Sequence, residues 1–375
     1  MTLFDIFSTI FYSFVFSFVI SFPIIHFLYK YKITRRLTND FSTIIASRSI
    51  KEGVPVMGGL IFIISVVFLN IFFNPYPRKE SLGLILSMFV ISAILGGVDD
   101  ILNIYGVKRH KPKSLSRVLT LIRVHKRFIK RVFLLVTLPW YAYKSFFYML
   151  GSNPGSGLHA HEKIIVQSIV GLVLGISLYF FTPFSSPEVI KIPVLNANVN
   201  IGILLIPFAW MAVLFMSNAV NLGDGMDGLA AGQSIFVFMA FLIIAAVQND
   251  ARITFLMATV IGSLIAYLYF NIPPARFQMG DVGSLALGTL MAIVAFILQQ
   301  PILLMVIAFP FVVTLFSSLI QGIGRRVLGR RVFKMAPIHY HLQIANNWSE
   351  EKVVMRLWLF SFLCSIIGLI IYFSS

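Results

Sequence analysis

Three short polar segments, each combining acids with glycines, interrupt an otherwise apolar sequence and mark where chemistry could be done. The densest is Asn218-Ala219-Val220-Asn221-Leu222-Gly223-Asp224-Gly225-Met226-Asp227-Gly228. Its glycines let the backbone come close to a ligand, while Asp224 and Asp227 suit a metal ion or hydroxyl groups. A plain turn between helices needs one glycine, so this stretch reads as a binding loop. The second segment, Met279-Gly280-Asp281-Val282-Gly283-Ser284, puts an acid at the start of a new apolar run. Backbone amides at such a helix start bind phosphate, and Asp281 has the oxygen chemistry to hold Mg²⁺; an ordinary N-cap carboxylate is the plainer reading. The third, Gly96-Gly97-Val98-Asp99-Asp100, sets two carboxylates side by side. Adjacent acids repel, so a fold that keeps both close supplies a cation, although a solvated helix end also carries such a pair.

Two histidines and two lysines join these acids as candidates. His339 and His341, in Ala336-Pro337-Ile338-His339-Tyr340-His341, have spacing open to a transition metal, but no cysteine supports that use. Hydrogen bonding to phosphate or a nucleotide suits them better. Lys51 and Lys163 border apolar runs, where a lysine serves either as a phosphate clamp or as an interfacial charge.

Positioning these groups falls to helices in lipid. Of the 375 residues 58% are hydrophobic and 12% charged, with a mean hydropathy of +0.89, more apolar surface than one soluble core can hide. Runs near the ~20 residues a crossing requires fall at 6–29, 55–73, 82–98, 162–182, 200–217, 230–248, 252–271, 283–299, 301–321 and 353–373. The expected fold is an all-α polytopic membrane protein of about ten transmembrane helices, one domain over 1–375 carrying an insertion at 108–157. The first run is too long for a signal peptide's apolar region and reads as a retained helix. Cys364, the lone cysteine, rules out a disulfide framework and a thiolate metal site.

Placing both termini outside makes 30–54, 99–161, 218–229, 272–282 and 322–352 cytoplasmic. Those connections then hold most of the Lys and Arg, among them Lys30, Lys32, Arg35, Arg36, Arg48, Arg325, Arg326, Arg330, Arg331, Lys334 and Lys352, as the positive-inside bias requires. The opposite side keeps only Arg78, Lys79, Lys191 and Arg252. Asp99, Asp100, Asp224, Asp227 and Asp281 all reach the cytoplasmic face, in loops. On the other face, 183–199 reads as a short hairpin turning at Asn196-Ala197-Asn198, with Pro183, Pro187 and Pro193 as breakers. Within the insertion, Arg123, Lys126, Arg127, Lys130 and Arg131 stand opposite Leu121, Ile122, Val124, Phe128 and Val132, the pattern of one basic amphipathic helix on an anionic membrane surface. Val132 to Leu150 is apolar, but Pro139 and Lys144 interrupt it, and an eleventh crossing would separate Asp99 from Asp224.

In order along the chain, Lys51 to Gly59 (KEGVPVMGG), Gly97 to Asp100, NAVNLGDGMDGLA, MGDVGSLALG and KMAPIHYH, followed by Trp348, Glu350 and Arg356, resemble the phospho-N-acetylmuramoyl-pentapeptide transferases. These belong to the polyprenyl-phosphate N-acetylhexosamine-1-phosphate transferases, and the likeness covers nearly the whole chain. It implies that undecaprenyl phosphate attacks the β-phosphate of UDP-N-acetylmuramoyl-pentapeptide, giving lipid I and UMP at the inner face of a bacterial cell membrane. It implies a ten-helix fold, a homodimer and membrane lipids as partners. By position, Asp281 would hold Mg²⁺, and Asp99 and Asp100 would orient or deprotonate the lipid phosphate. Asn221, Asp224 and Asp227 would line the nucleotide-sugar cleft; Lys51, Lys163, His339 and His341 would surround the diphosphate. Such a transfer between two anions needs charge neutralisation and alignment more than covalent chemistry. The sequence departs from the family at Asn103, where a lysine is usual, at Gln278, where a phenylalanine stacks on uracil, at Tyr340, the middle of a usual run of three histidines, and in the insertion. Phe277 is a neighbour able to replace the missing aromatic, and Lys108 the missing lysine.

A related transferase using UDP-N-acetylglucosamine is the nearer rival, opposed by the APIH element. A transporter or channel would place ionisable groups in mid-span, and here the spans are almost free of charge. The net charge of +16 lies beside apolar runs rather than on a soluble nucleic-acid-binding domain, which argues against nucleic acid as partner.

Overall fold

The computed structural model describes residues 1–34, 53–76, 80–106, 115–125, 127–149, 157–180, 189–193 and 197–374. Lys51, Lys108, Pro183 and Pro187 lie outside the described residues. The chain begins with α1 (Leu3–Lys30), α2 (Leu60–Phe72) and α3 (Glu80–Tyr105), then α4 (Leu115–Val124), α5 (Phe128–Val136) and α6 (Leu138–Met149). It continues through α7 (Ala160–Phe180), the hairpin β1 (Val189–Ile192) and β2 (Ala197–Asn200), α8 (Leu205–Gly223), α9 (Leu229–Val247) and α10 (Ala251–Asn271). It ends with α11 (Gly280–Ile297), α12 (Pro301–Ile307), α13 (Phe309–Val327), α14 (Ile338–Asn346) and α15 (Glu350–Phe373).

Among the described residues, eight helices are long and apolar enough to cross a membrane, and α12 with α13 makes a ninth, bent by 82°. The chain is thus an all-α polytopic membrane protein, and each of the ten expected spans contains a helix. Three of them, and the hairpin, differ from expectation. The second span shrinks to the 13 residues of α2, because residues 55–59 pair with a loop instead: Gly58 N donates to Gln278 O at 2.9 Å and Gly59 N to Met279 O at 3.0 Å. Helix α3 does not end at Asp99 and Asp100 but runs on to Tyr105, since no glycine or proline stops it before Gly106. The two acids therefore sit on a helix, not in a loop. The ninth span breaks at Ala308, just before Pro310, which has no N–H for the helix ladder. In the hairpin Ile192 pairs with Ala197, so Ala197 and Asn198 belong to β2 rather than to the turn.

Every residue of α11 is buried, and α2, α3, α8, α9 and α12 pack around it. Lipid supplies no hydrophobic drive between helices, so small and hydroxylic side chains set the contacts. Ser13 Oγ of α1 donates to Thr259 O at 2.7 Å, and Ser17 Oγ donates to Ser263 Oγ at 2.9 Å. Asn70 Nδ2 of α2 reaches Thr259 Oγ1 at 2.8 Å.

Among its described residues the insertion forms three helices of 10, 9 and 12 residues, each too short to cross. The single amphipathic helix expected there is broken at His125. Arg131 folds back, its Nε donating to His125 O at 2.5 Å and a guanidinium NH2 to Arg123 O at 3.2 Å, so it satisfies carbonyls freed at the end of α4. Helix α5 buries no side chain, and Phe128, Ile129, Phe133 and Val136 are 77%, 82%, 62% and 73% exposed.

Candidate active site

Lys163, on the first turn of α7, ties together α3 and α11. Its Nζ lies 2.7 Å from Asp99 Oδ2 and 2.6 Å from Asp281 Oδ2. Asp99, Asp100 and Asp281 are all buried. Asp99 also accepts from Leu158 N at 2.5 Å and from Asn103 Nδ2 at 2.9 Å. Asp100 turns the other way, its Oδ2 accepting from Val282 N at 3.1 Å. Neighbouring residues on a helix point about 100° apart. The adjacent acids therefore part, one to the amine of α7 and the other to an amide at the start of α11. Their repulsion is relieved by protein groups, and one amide of the helix start expected to bind phosphate, that of Val282, is taken by Asp100.

Two glycines permit this approach. A Cβ on Gly96, one turn before the acids, would collide with the backbone carbonyl of Asp281. Gly280 has φ +76°, and a Cβ there would stand 2.5 Å from Asp100 Oδ2. Gly96→Ala should therefore push α3 away from α11 and cost about 3 kcal/mol, the upper range for overpacking, since the obstacle is backbone. Thermal unfolding of the purified variant checks this, and an unchanged Tm would show that the helices are not locked at this distance.

The second half of the site gathers around residues 218–228. Asn221 Nδ2 donates to Ser284 Oγ at 2.9 Å, linking the end of α8 to the turn that carries Asp281. Asp227 N donates to Glu350 Oε1 at 2.9 Å, and Asp227 Oδ2 accepts from Ala275 N at 3.3 Å. Asp224 caps α8. His339 is buried beside Gly225, and the Tyr340 hydroxyl donates to Gly225 O at 2.6 Å. His341 does not join them. Two residues along α14 is about 200° of rotation, and its ring lies against Phe333 while its Nδ1 accepts from Lys334 N at 3.2 Å. The histidines are thus no shared metal site. Arg356 stacks 3.9 Å over Trp348 and helps hold this loop against α9 and α15.

Sequence reasoning missed Leu158 and Gln167, and gave Asn218 and Ser284 no role of their own although both lie in the acid–glycine segments. Gln167 lies one helical turn beyond Lys163, and its Oε1 accepts from Asn218 Nδ2 at 2.9 Å. Ser284 lies three residues after Asp281, so helical spacing from Lys163 and Asp281 would have found both. The Leu158 amide carries no sequence signal. Among the described residues no group of three or more His, Cys, Asp or Glu is arranged around a metal. Two hard carboxylate oxygens nevertheless converge on one ammonium, and one or two carboxylates completed by substrate phosphates is a usual Mg²⁺ set.

Residues 155–299 match the family model described as Glycosyl transferase family 4. A phospho-N-acetylmuramoyl-pentapeptide-transferase of Leptospira biflexa is 33% identical over 361 residues, covering 92% of this chain and 87% of its own. One from Chloroflexus aggregans is 32% identical over 356 residues, covering 92% and 83%. The chain belongs to the phospho-N-acetylmuramoyl-pentapeptide transferase family. A relative from Latilactobacillus sakei, 31% identical over 331 residues, covers 86% of this chain and 85% of its own.

Within that family the departures of this chain acquire structural meaning. Asn103 contributes a hydrogen bond to Asp99 where a lysine would contribute charge. Tyr340 closes the loop at Gly225 through its hydroxyl, which an imidazole could not do in the same way. Phe277 is fully buried, with its ring 5.2 Å from that of Tyr267, and so is no substitute for an exposed stacking aromatic. Gln278 is its half-buried neighbour.

Proposed function

We propose that this membrane protein transfers phospho-N-acetylmuramoyl-pentapeptide from its UDP-linked form to undecaprenyl phosphate, at a site facing the cytoplasm with both termini outside. An oxygen of the lipid phosphate attacks the β-phosphorus, the bond from that phosphorus to the bridging oxygen breaks, and UMP leaves with the α-phosphate. The observation that carries this reading is Lys163 held between Asp99 and Asp281, three charges brought from three helices to one point. The names of the relatives, phospho-N-acetylmuramoyl-pentapeptide-transferases, support the identity of the transferred group.

Bound Mg²⁺, held by Asp281 and supported by Asp99, would neutralise the diphosphate as charge shifts to the leaving phosphate. Lys163, between Asp99 and Asp281, is placed to pair with a phosphate oxygen of the substrate. Asp100, fixed by the Val282 amide, and Asp99, fixed by Leu158 and Asn103, orient the lipid phosphate and accept its proton if it carries one. Asn221, Asp224, Asp227 and His339 bound the cleft on the sugar-nucleotide side. A transfer assay offering UDP-N-acetylmuramoyl-pentapeptide and UDP-N-acetylglucosamine separately with undecaprenyl phosphate tests the choice of donor. Product from the first alone is expected, and product from the second alone would replace this reading with the rival.

Gln278→Phe should lower the KM for the UDP-sugar, since base–aromatic stacking is worth roughly 1–3 kcal/mol. Steady-state kinetics check it, and an unchanged or raised KM would place the uridine elsewhere.

The exposed apolar side of α5, flanked by Arg127, Lys130 and Arg131, lies on the anionic membrane surface, an attraction of about 1 kcal/mol per basic residue. A spin label on a cysteine at Phe133, in a Cys364→Ser background, should be shielded from aqueous relaxation agents in anionic vesicles; full aqueous accessibility would refute this placement.

A further inference from the structure

The insertion is not merely appended to the membrane domain, because its last helix closes on the segment that grips Asp99. Tyr143 Oη of α6 donates to His161 O at 3.0 Å. The rings of Trp140, Tyr143 and Phe147 surround the imidazole of His161 at centroid distances of 5.7, 6.2 and 6.5 Å. His161 is 1% exposed, and its other face stacks on His159 at 5.3 Å with the rings 13° from parallel. His159 and Glu162 are themselves joined, His159 N donating to Glu162 Oε2 at 2.9 Å, as in half of a capping box. Burial raises the Tyr143 phenol above its ordinary value, so it stays a donor through the physiological range.

On either side of this aromatic cluster are the groups that hold the catalytic acid. Leu158 N is on Asp99 Oδ1, and Lys163 Nζ is on Asp99 Oδ2 and Asp281 Oδ2. One six-residue stretch therefore supplies both the amide and the ammonium, and α6 fixes its middle. An α7 helix start is otherwise free to fray, because its first amides lack intrahelical partners.

We propose that α6 is a positioning element of the active site, with Trp140, Tyr143 and Phe147 clamping His161 so that Leu158 and Lys163 hold Asp99 in the transfer geometry. This rests on the transferase reading for its kinetic consequence. His161 and the three aromatics act through the 158–163 segment and touch no reacting atom.

The test uses the full-length protein in lipid nanodiscs, with His161→Ala, His161→Phe and Tyr143→Phe. His161→Ala empties the clamp and should lower kcat roughly tenfold, in the range a small misplacement of catalytic groups causes. The KM for the UDP-sugar should change less than kcat does, since Asn221, Asp224, Asp227 and His339 on that side of the cleft are untouched. Hydrogen–deuterium exchange of the peptide holding 157–163 should accelerate while that of α8 to α11 does not. His161→Phe, which keeps an aromatic in the clamp, should restore most of kcat and of the protection. Tyr143→Phe, the mildest change, should accelerate exchange locally with the protein still fully folded.

Unchanged exchange and unchanged kcat in a monodisperse His161→Ala protein would overturn the proposal. A parallel fall of kcat, both affinities and Tm that His161→Phe does not rescue would also overturn it, by showing a general structural role. Exchange is read without turnover, so a wild-type protein that transfers no sugar phosphate would sink the reaction while exchange still decided whether α6 holds this segment.

Discussion

Asp281→Asn is expected to give a folded protein that turns over about 10²–10³-fold more slowly, the usual loss when a preorganised charge contact to the transferring group disappears. The substitution keeps the shape of the side chain at the start of α11 and the packing around Gly280 and Gly283. It removes the negative charge that Lys163 and a bound divalent cation would share. Loss of kcat without loss of Tm distinguishes this from misfolding. Near-normal turnover by a purified, monodisperse Asp281→Asn variant would remove Asp281 from the reaction.

Lys163→Met should have the larger effect on stability. Asp99 is 2% and Asp281 8% exposed, and methionine would leave both without their shared ammonium. Removing one partner of a buried ion pair costs about 3–5 kcal/mol, because the remaining charge is left uncompensated in a poorly polarisable interior. Thermal unfolding should show the fall, and Mg²⁺ should recover part of it, since a cation that binds only the folded state stabilises that state by mass action. A variant whose Tm matches wild type and ignores Mg²⁺ would show that the two carboxylates do not depend on this charge.

Much of the molecule was legible in its sequence because membrane helices announce themselves by length. Each of the ten apolar runs holds a helix, and the three acid–glycine segments all reach the site or its border. The misreadings come from contacts between residues distant in the chain. Asp99 and Asp100 look like a pair sharing one cation, but the helix that continues through them points one at the Lys163 ammonium and the other at the Val282 amide. Residues 55–59 are apolar enough to extend a span, yet their amides pair with the Gln278 loop. His339 and His341 look equivalent until α14 turns them to opposite sides. Nothing in Trp140, Tyr143 or Phe147 suggests a partner at His161, because the insertion and the start of α7 meet only in the folded chain.

Charge at a helix junction can serve structure alone, so the decisive question is where the β-phosphate goes. UDP-N-acetylmuramoyl-pentapeptide labelled with ³²P at the β-position, incubated with the purified protein, undecaprenyl phosphate and Mg²⁺, answers it in one extraction. Attack at the β-phosphorus predicts that the label moves into the organic phase with the lipid and that the UMP formed is unlabelled. Label kept in the aqueous phase as UDP, while the sugar moves to the lipid, would mean that the sugar carbon rather than the phosphorus is attacked, and would contradict the proposed reaction.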